Sequence, residues 1–427
     1  MTARATSNVQ RATEFPQTTR CTLRVGRCTA LAAAAGLAAC AHPQAVPRPA
    51  GQPELRVGLV SGAPQVTVGG SGRVSAFADG AAQFALDNRR VTLAVDGRAL
   101  SVPGSTTRYE RLILSSLDPG GFVSVAGHSY RGTVELFVQG GGITAVNRVL
   151  VEDYLAGVVS AEMGHRAANE DAALGAQAIV SRTYALKNRG RYASQGFDLT
   201  AGVADQAYGG VDAETPEGTA AVRATTGLVL TYGGQLILAF FHSTCGYATA
   251  TPGEAFRGIA NVPYLRSVSD RKPGGGYYCD ISPRFRWRVE WDGTTLRDIL
   301  RRTLPSVLGI AAEQVDRLRD VRVAHTGPSG RAVEIRVRVG SGEIPVFGPD
   351  IRAVFQTPEG RPLGSTAVQF HPEYQADTLA RLVAAGAGWG HGVGLCQWGA
   401  VGRARAGQSE DQILSAYFPG TKIERWY

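Results

Sequence analysis

The period of the hydrophobic positions changes along the chain. From Leu55 to about Val149 apolar and polar residues alternate in short runs, among them Leu55–Val60, Arg90–Val95, Gly121–Val125 and Gly132–Val138, with Gly, Asp-Gly and Pro-Gly turns between them. That pattern predicts strands. In Val151–Lys187 the period lengthens: Leu155, Val158, Val159 and Glu162 sit at i, i+3, i+4 and i+7, which predicts a helix whose apolar face ends in a glutamate. A second helix follows, with Asn169 as N-cap, Glu170 and Asp171 in its first turn, and Lys187, Arg189 and Gly190 at its stop. Leu228–Phe241 returns to strand composition, and a hairpin turn at Gly233-Gly234 delivers His242 to Gly246 at a strand end. Pro283–Gln369 predicts a strand at Arg286–Trp291, a helix at Leu296–Leu304 capped by Thr295 with Asp298, and a strand at Val333–Val339 with its charged face in water. A last helix covers Gln412–Tyr417. The class is α+β.

Composition narrows the setting. A chain of 427 residues with 54 Gly can bury a sizeable core and is rich in turns. Half of the +8 net charge lies in residues 1–40, which hold five arginines and one glutamate. No Lys/Arg run with interleaved aromatics stands out, so nucleic acid is not an expected partner. Arg20, Arg24 and Arg27 precede an apolar run, Ala30–Ala39, that is too short to span a membrane and ends in Leu37-Ala38-Ala39-Cys40. This tetrapeptide resembles a bacterial lipobox. The resemblance implies cleavage before Cys40, lipidation of its sulfur and an exported lipoprotein held on the periplasmic face of a membrane, with Ala41 favouring the outer one. An ordinary secretory signal is the alternative.

Two charged residues break apolar stripes. Partial burial and the negative end of the helix dipole both disfavour ionised Glu162, so its pKa is expected to be raised, as a general acid near neutrality requires. The alternative is a half-exposed glutamate at a frayed helix end. Arg182 lies on the stripe of Leu174 and Ala178 and is expected to face inward, where it needs an anion. A structural ion pair with Glu152 or Asp153 and a substrate contact both remain open. His128 reads as a surface residue, and His325 and His371 lack a partner at metal-ligand spacing.

Two separated stretches carry a family resemblance. Val149–Leu186, with E-D-Y-L-A-G-V-V, S-A-E-M and A-Q-A-I-V-S-R-T-Y-A-L, resembles the SpoIID/LytB family of bacterial cell-wall proteins. Gly388–Ala400, G-W-G-H-G-V-G-L-C-Q-W-G-A, is similar to that family's G-H-G-x-G-x-x-Q-x-G-A signature, and I-L-x-x-Y-F-P-G-T follows at Ile413–Thr421. Composition and alternation give a leader at 1–39, a Pro/Ala-rich tether at 40–54 and a β-rich region at 55–130, and the resemblance implies a mixed core at 131–270 interrupted by an α+β insertion at 271–370, with the rest of that core at 371–427. It also implies that F-H-S-T-x-G from Phe241 lines a groove beside the glutamate, with His242 and Ser243 matching and Tyr247 replacing the usual glycine. Asp205–Gly210 resembles a shortened D-x-x-x-Q-x-Y-x-G. Some members bind zinc through cysteine and histidine in this loop, but Leu199–Gly210 has neither, so no metal or cofactor carries over.

The activity implied is lytic cleavage of peptidoglycan, at the bond between N-acetylmuramic acid and N-acetylglucosamine in peptide-free glycan strands, leaving 1,6-anhydro ends. One carboxylate suffices, because the sugar's own C6 hydroxyl attacks the anomeric carbon and needs no second carboxylate as nucleophile. By resemblance Glu162 is the acid and then the base, while Arg182, Gln206, Tyr208, His242, Ser243, His391 and Gln397 orient the glycan. The LytB branch implies the alternative, a non-catalytic glycan-binding enhancer that works with a cell-wall amidase.

Cysteine usage adds one constraint. Cys21 and Cys28 fall in the leader and Cys40 is assigned to lipid, which leaves Cys245, Cys279 and Cys396. An exported chain favours one disulfide, assigned to Cys245 and Cys279, with Cys396 a small buried residue where the family often has serine. A Cys245/His242 nucleophilic pair, and zinc held by His242, Cys245, Cys279 and His391, are weaker alternatives without a Cx2C-type pair behind them.

Overall fold

The computed structural model describes residues 49–340 and 342–427. The expected leader, Cys40 and most of the tether lie outside them. Strands between Glu54 and Leu150 form two largely antiparallel sheets. In the first, Glu54–Ala63 pairs with Gly142–Leu150, Leu55 opposite Val149, and Gly142–Leu150 pairs on its other edge with Thr133–Gln139. In the second, Gln65–Gly70 lies between Val91–Asp96 and Val123–Val125. Alternation does what it predicts: Leu55, Val57, Val66, Val68, Leu112, Leu114, Val134 and Leu136 all turn inward and are buried. The expected boundary at 130 is no break in packing, because Leu55, Leu112 and Val134 share one hydrophobic cluster with Tyr154, Leu155 and Ile179 of the helices that follow.

Helix α1, Val151–Met163, starts where the strand Gly142–Leu150 stops. Its inward stripe of Tyr154, Leu155, Val158 and Val159 is fully buried. Gly164 ends it at φ +65°, a conformation that costs glycine little and a residue with a β-carbon more. Helix α2, Asp171–Lys187, starts later than expected: Asn169 lies in a 3-10 turn, Ala168–Glu170, and Glu170 takes the cap position, its carboxylate bonded to the Ala167 N–H and to Arg405. From Ala173 to Leu186 α2 is buried on every side. Small residues make this possible, since α1, helix α3 (Pro216–Ala224) and the helices Gln397–Arg405 and Glu410–Tyr417 all close on it.

A second hydrophobic cluster gathers Trp291, Leu296, Leu300, Val321, Ile335, Val337, Phe355 and Leu382. Its helix, Gly293–Leu308, is capped by Asp292, whose Oδ1 accepts from Thr295 N–H at 2.8 Å, so the cap is three residues earlier than the expected Thr295. The strand Ala332–Val339 exposes Arg338, but Glu334, expected in water, is covered and bonded to His325 and Arg336. The expected boundary at 370 cuts a sheet. Thr378–Ala387 pairs with both Arg286–Asp292 and Val368–Gln375, so the inserted unit continues to Ala387. Among the described residues no helix is long and apolar enough to cross a membrane.

Candidate functional site

The end of α1 presents Glu162 half-buried, and two donors hold its carboxylate. The backbone N–H of Ala207 donates to Oε1 at 2.8 Å, and the side-chain amide of Gln397 donates to Oε2 at 3.2 Å. Burial is the largest influence and raises the carboxyl's pKa, while these two hydrogen bonds oppose it. Arg166, four residues after Glu162, lays its guanidinium over the half-exposed Trp398 ring at 4.7 Å, so a cation and an indole stack next to Gln397, one of the carboxylate's two anchors.

Gln206 and Tyr208 act on Glu162 from beneath. Both are buried; Gln206 accepts from Tyr154 at 3.1 Å, and Tyr208 donates to Asn147 at 2.8 Å with its ring 4.7 Å from that of Tyr154. They were expected to touch glycan. Instead they pin the loop that aims the Ala207 N–H at the carboxylate. The same loop offers no metal set: its Asp205 is bonded to Tyr184, Arg191 and Thr200.

Arg182 belongs to the fold. It is fully buried, bidentate to Glu152 at 2.9 and 2.6 Å, and donates to the carbonyls of Leu228 and Val222. Glu152 is further bonded by the Gly227 N–H and the Tyr427 hydroxyl. The pair therefore clamps α1, α2 and the C-terminus, and the arginine has no surface left for a substrate.

His242 reaches the site by backbone. Phe241–His242 runs parallel to Leu395–Cys396, with His242 opposite Cys396, the residue before Gln397, and Trp398 N–H donates to the Ser243 carbonyl at 3.0 Å. The His242 ring is buried and turned to the Val393 carbonyl, to which Nδ1 donates at 3.2 Å; burial, then Arg331, pulls its pKa down to about 3. His391 accepts from Val393 N–H and lies among Phe256, Phe240 and His242, where burial holds it neutral. The two hydrogen-bond partners of Glu162, the Ala207 N–H and the Gln397 amide, include no histidine. Ser243 stays half-exposed beside Thr244. Gly390 is held at φ +103°, and a β-carbon there would stand 3.0 Å from the His242 β-carbon, so a side chain is strained and crowded at once.

Cys245 and Cys279, expected to be bridged, lie with sulfurs 3.5 Å apart and unbonded. Cys396 is not a bystander. Its sulfur accepts the N–H of Cys245 and of Gly399. The histidines of the weaker zinc alternative stand outside this group, which Asp270 completes instead. An open cleft of about 450 Å³ in the inserted unit, lined by Asp292, Arg317 and Thr378 among others, shares no residue with the Glu162 site.

These features define an α+β protein whose site joins a helix-end glutamate to a glycine-rich C-terminal loop. Comparison with known proteins agrees: residues 139–232 match the family described as stage II sporulation protein, SpoIID, and the chain carries a domain of that family. Residues 272–394, nearly the whole inserted unit, match a domain of unknown function, DUF8618. An uncharacterised protein of Brachyspira hyodysenteriae is 27% identical over 79% of this chain and 83% of its own. The amidase enhancer of Bacillus subtilis is 29% identical over 59% of this chain, which spans only 38% of that protein, and stage II sporulation protein D of the same organism is 27% identical over 65% and 76%.

Proposed function

We propose that this is a cell-envelope protein that cuts peptidoglycan glycan strands as a lytic transglycosylase, with Glu162 as its acid and base. The observation that carries the reading is the environment of Glu162: a carboxyl with a raised pKa, held by one N–H and one amide and, among the described residues, bonded to no second carboxylate. A proton donor near neutrality is what leaving-group protonation needs. After the glycosidic oxygen departs with that proton, the carboxylate takes the proton of the sugar's C6 hydroxyl as it closes on the anomeric carbon, so no water enters the bond. Trp398, Ser243 and the partly exposed Trp389–Gly390 backbone are the groups offered to the sugar, and Gln397 steadies the ionised state between the two transfers. The SpoIID domain and the relatives named for sporulation and amidase enhancement support a cell-wall role. The lipobox-like Leu37–Cys40 supports anchoring in the envelope.

The likeness to an amidase enhancer favours a second reading, in which the same groove binds glycan and presents a cell-wall amidase without cutting. One experiment separates the two. Peptide-free glycan incubated with the mature protein should yield fragments ending in 1,6-anhydro-N-acetylmuramic acid, and Glu162→Gln should abolish them while retaining glycan binding. Hydrated reducing ends would point to a hydrolase. Uncut glycan, with an amidase stimulated equally by wild type and Glu162→Gln, would leave only the enhancer.

A further inference from the structure

The cysteine cluster is assembled from segments far apart in sequence. Cys245 follows the strand Phe241–His242, Asp270 and Cys279 sit on the loop before the inserted unit and in its 3-10 turn Tyr278–Ile281, and Cys396 caps the helix Gln397–Arg405. One ligand atom from each lies within 4.8 Å of all the others, and all four residues are fully buried. A tetrahedral zinc with sulfur at about 2.3 Å separates its ligands by roughly 3.8 Å, so this spacing suits one ion without rearrangement. We propose that Cys245, Cys279, Cys396 and Asp270 hold a single zinc ion in a closed structural site.

The surroundings are those of a bound anion set. Cys396 Sγ accepts the N–H of Cys245 at 3.1 Å and of Gly399 at 3.2 Å, and Asp270 accepts from Cys279 N–H at 3.0 Å, from Tyr417 at 2.6 Å and from Arg403 at 3.4 Å. Such outer hydrogen bonds orient ligands and spread the charge that three thiolates and a carboxylate leave on the ion. A β-carbon on Gly399 would stand 2.0 Å from the Tyr417 hydroxyl and 2.8 Å from Asp270, so glycine there keeps room for the carboxylate and its support. A Cys245–Cys279 disulfide calls for neither the donors aimed at Cys396 nor the buried carboxylate. Each thiol would release its proton to solvent on binding. With no exposed ligand position the ion has a structural rather than a catalytic part, tying the start of the Gln397 helix to the His242 strand.

The test uses the mature protein, purified without reductant or chelator. Metal analysis should find one zinc per chain, peptide mapping should find Cys245, Cys279 and Cys396 as thiols that alkylate only after chelation, and a strong chelator should lower the melting temperature. Cobalt in place of zinc should give the intense visible bands of a tetrahedral thiolate site. Cys396→Ser should weaken zinc binding more than about 100-fold. Metal-free protein overturns the proposal, whether Cys245 and Cys279 are bridged or all three are free, and so does a weak octahedral cobalt spectrum. Should Cys396→Ser not fold, the wild-type metal, alkylation and cobalt measurements decide alone.

Discussion

Gln397→Leu keeps the side chain's bulk and removes the amide that donates to Glu162 Oε2 at 3.2 Å. Hydrogen bonds to charged groups contribute about 1.5–3 kcal/mol. This one is long, and the carboxylate keeps its Ala207 N–H at 2.8 Å, so the low end applies: about 1.5 kcal/mol, or about one pKa unit. The sign follows from which form the amide favours. Gln397 stabilises the ionised carboxylate, so its removal adds to the upward push of burial. A general acid must start protonated, and the alkaline limb of kcat/KM for anhydro-ended product should therefore move to higher pH by about one unit. The assay is release of those ends from peptide-free glycan across the pH range in buffers of constant ionic strength. Gln397→Glu, which brings a like charge to the same place, should move the limb further the same way. A limb that stays put, or moves to lower pH, would show that the amide does not hold the carboxylate in the working enzyme and refute the assignment of acid to Glu162 through this contact.

Further outcomes follow from the same geometry. Glu162→Gln should lose about a hundredfold to ten-thousandfold in rate. Because the folded pKa of Glu162 is raised, its stabilising share is present below the unfolded value of 4.5 and is lost as pH rises through the folded value, so Glu162→Gln should melt no lower than wild type at neutral pH, with the difference closing below pH 4.5. Arg182→Met strands Glu152 in a buried site and should cost about 3–5 kcal/mol in urea unfolding, with glycan binding per folded molecule unchanged; loss of binding at unchanged stability would return the arginine to the groove. Cys40→Ser should free the exported protein from membranes, and wild type recovered soluble would remove the lipid anchor.

What the sequence disclosed follows range. The Glu162 helix and its apolar stripe were legible because a 3.6 period needs only neighbours, and the raised pKa followed from place on that helix. The inward turn of Arg182 was legible too, but its partner lies 30 residues away, and both candidate anions fitted the pattern until the chain was folded. Gln206 and Tyr208 drew notice as polar side chains in a family-like loop, whereas the atom that reaches Glu162 is the backbone N–H between them, a group every residue but proline has and no sequence marks. Arg166 lies beyond Gly164, which ends the helix, so helical spacing from Glu162 could not have placed it. Trp398 lies inside the Gly388–Ala400 signature, where sequence alone does not distinguish an exposed ring from a buried one. The boundary at 370 fails for another reason: it falls inside the strand Val368–Gln375, whose partner, Thr378–Ala387, comes only after the supposed break.

The inserted unit enters and leaves through adjacent strands, with Arg286 paired directly to Ala387. Viewed from the rest of the chain, a folded insertion of this kind is a short connection. Melted, it becomes a flexible loop of on the order of 100 residues in place of a few, and closing such a loop costs about 3 kcal/mol more. Glu162 and Gln397 lie on opposite sides of that connection, so their encounter is partly underwritten by packing around Trp291 and Leu382 that neither residue touches. Substitutions in this remote core should thus loosen the site without altering a single group in it.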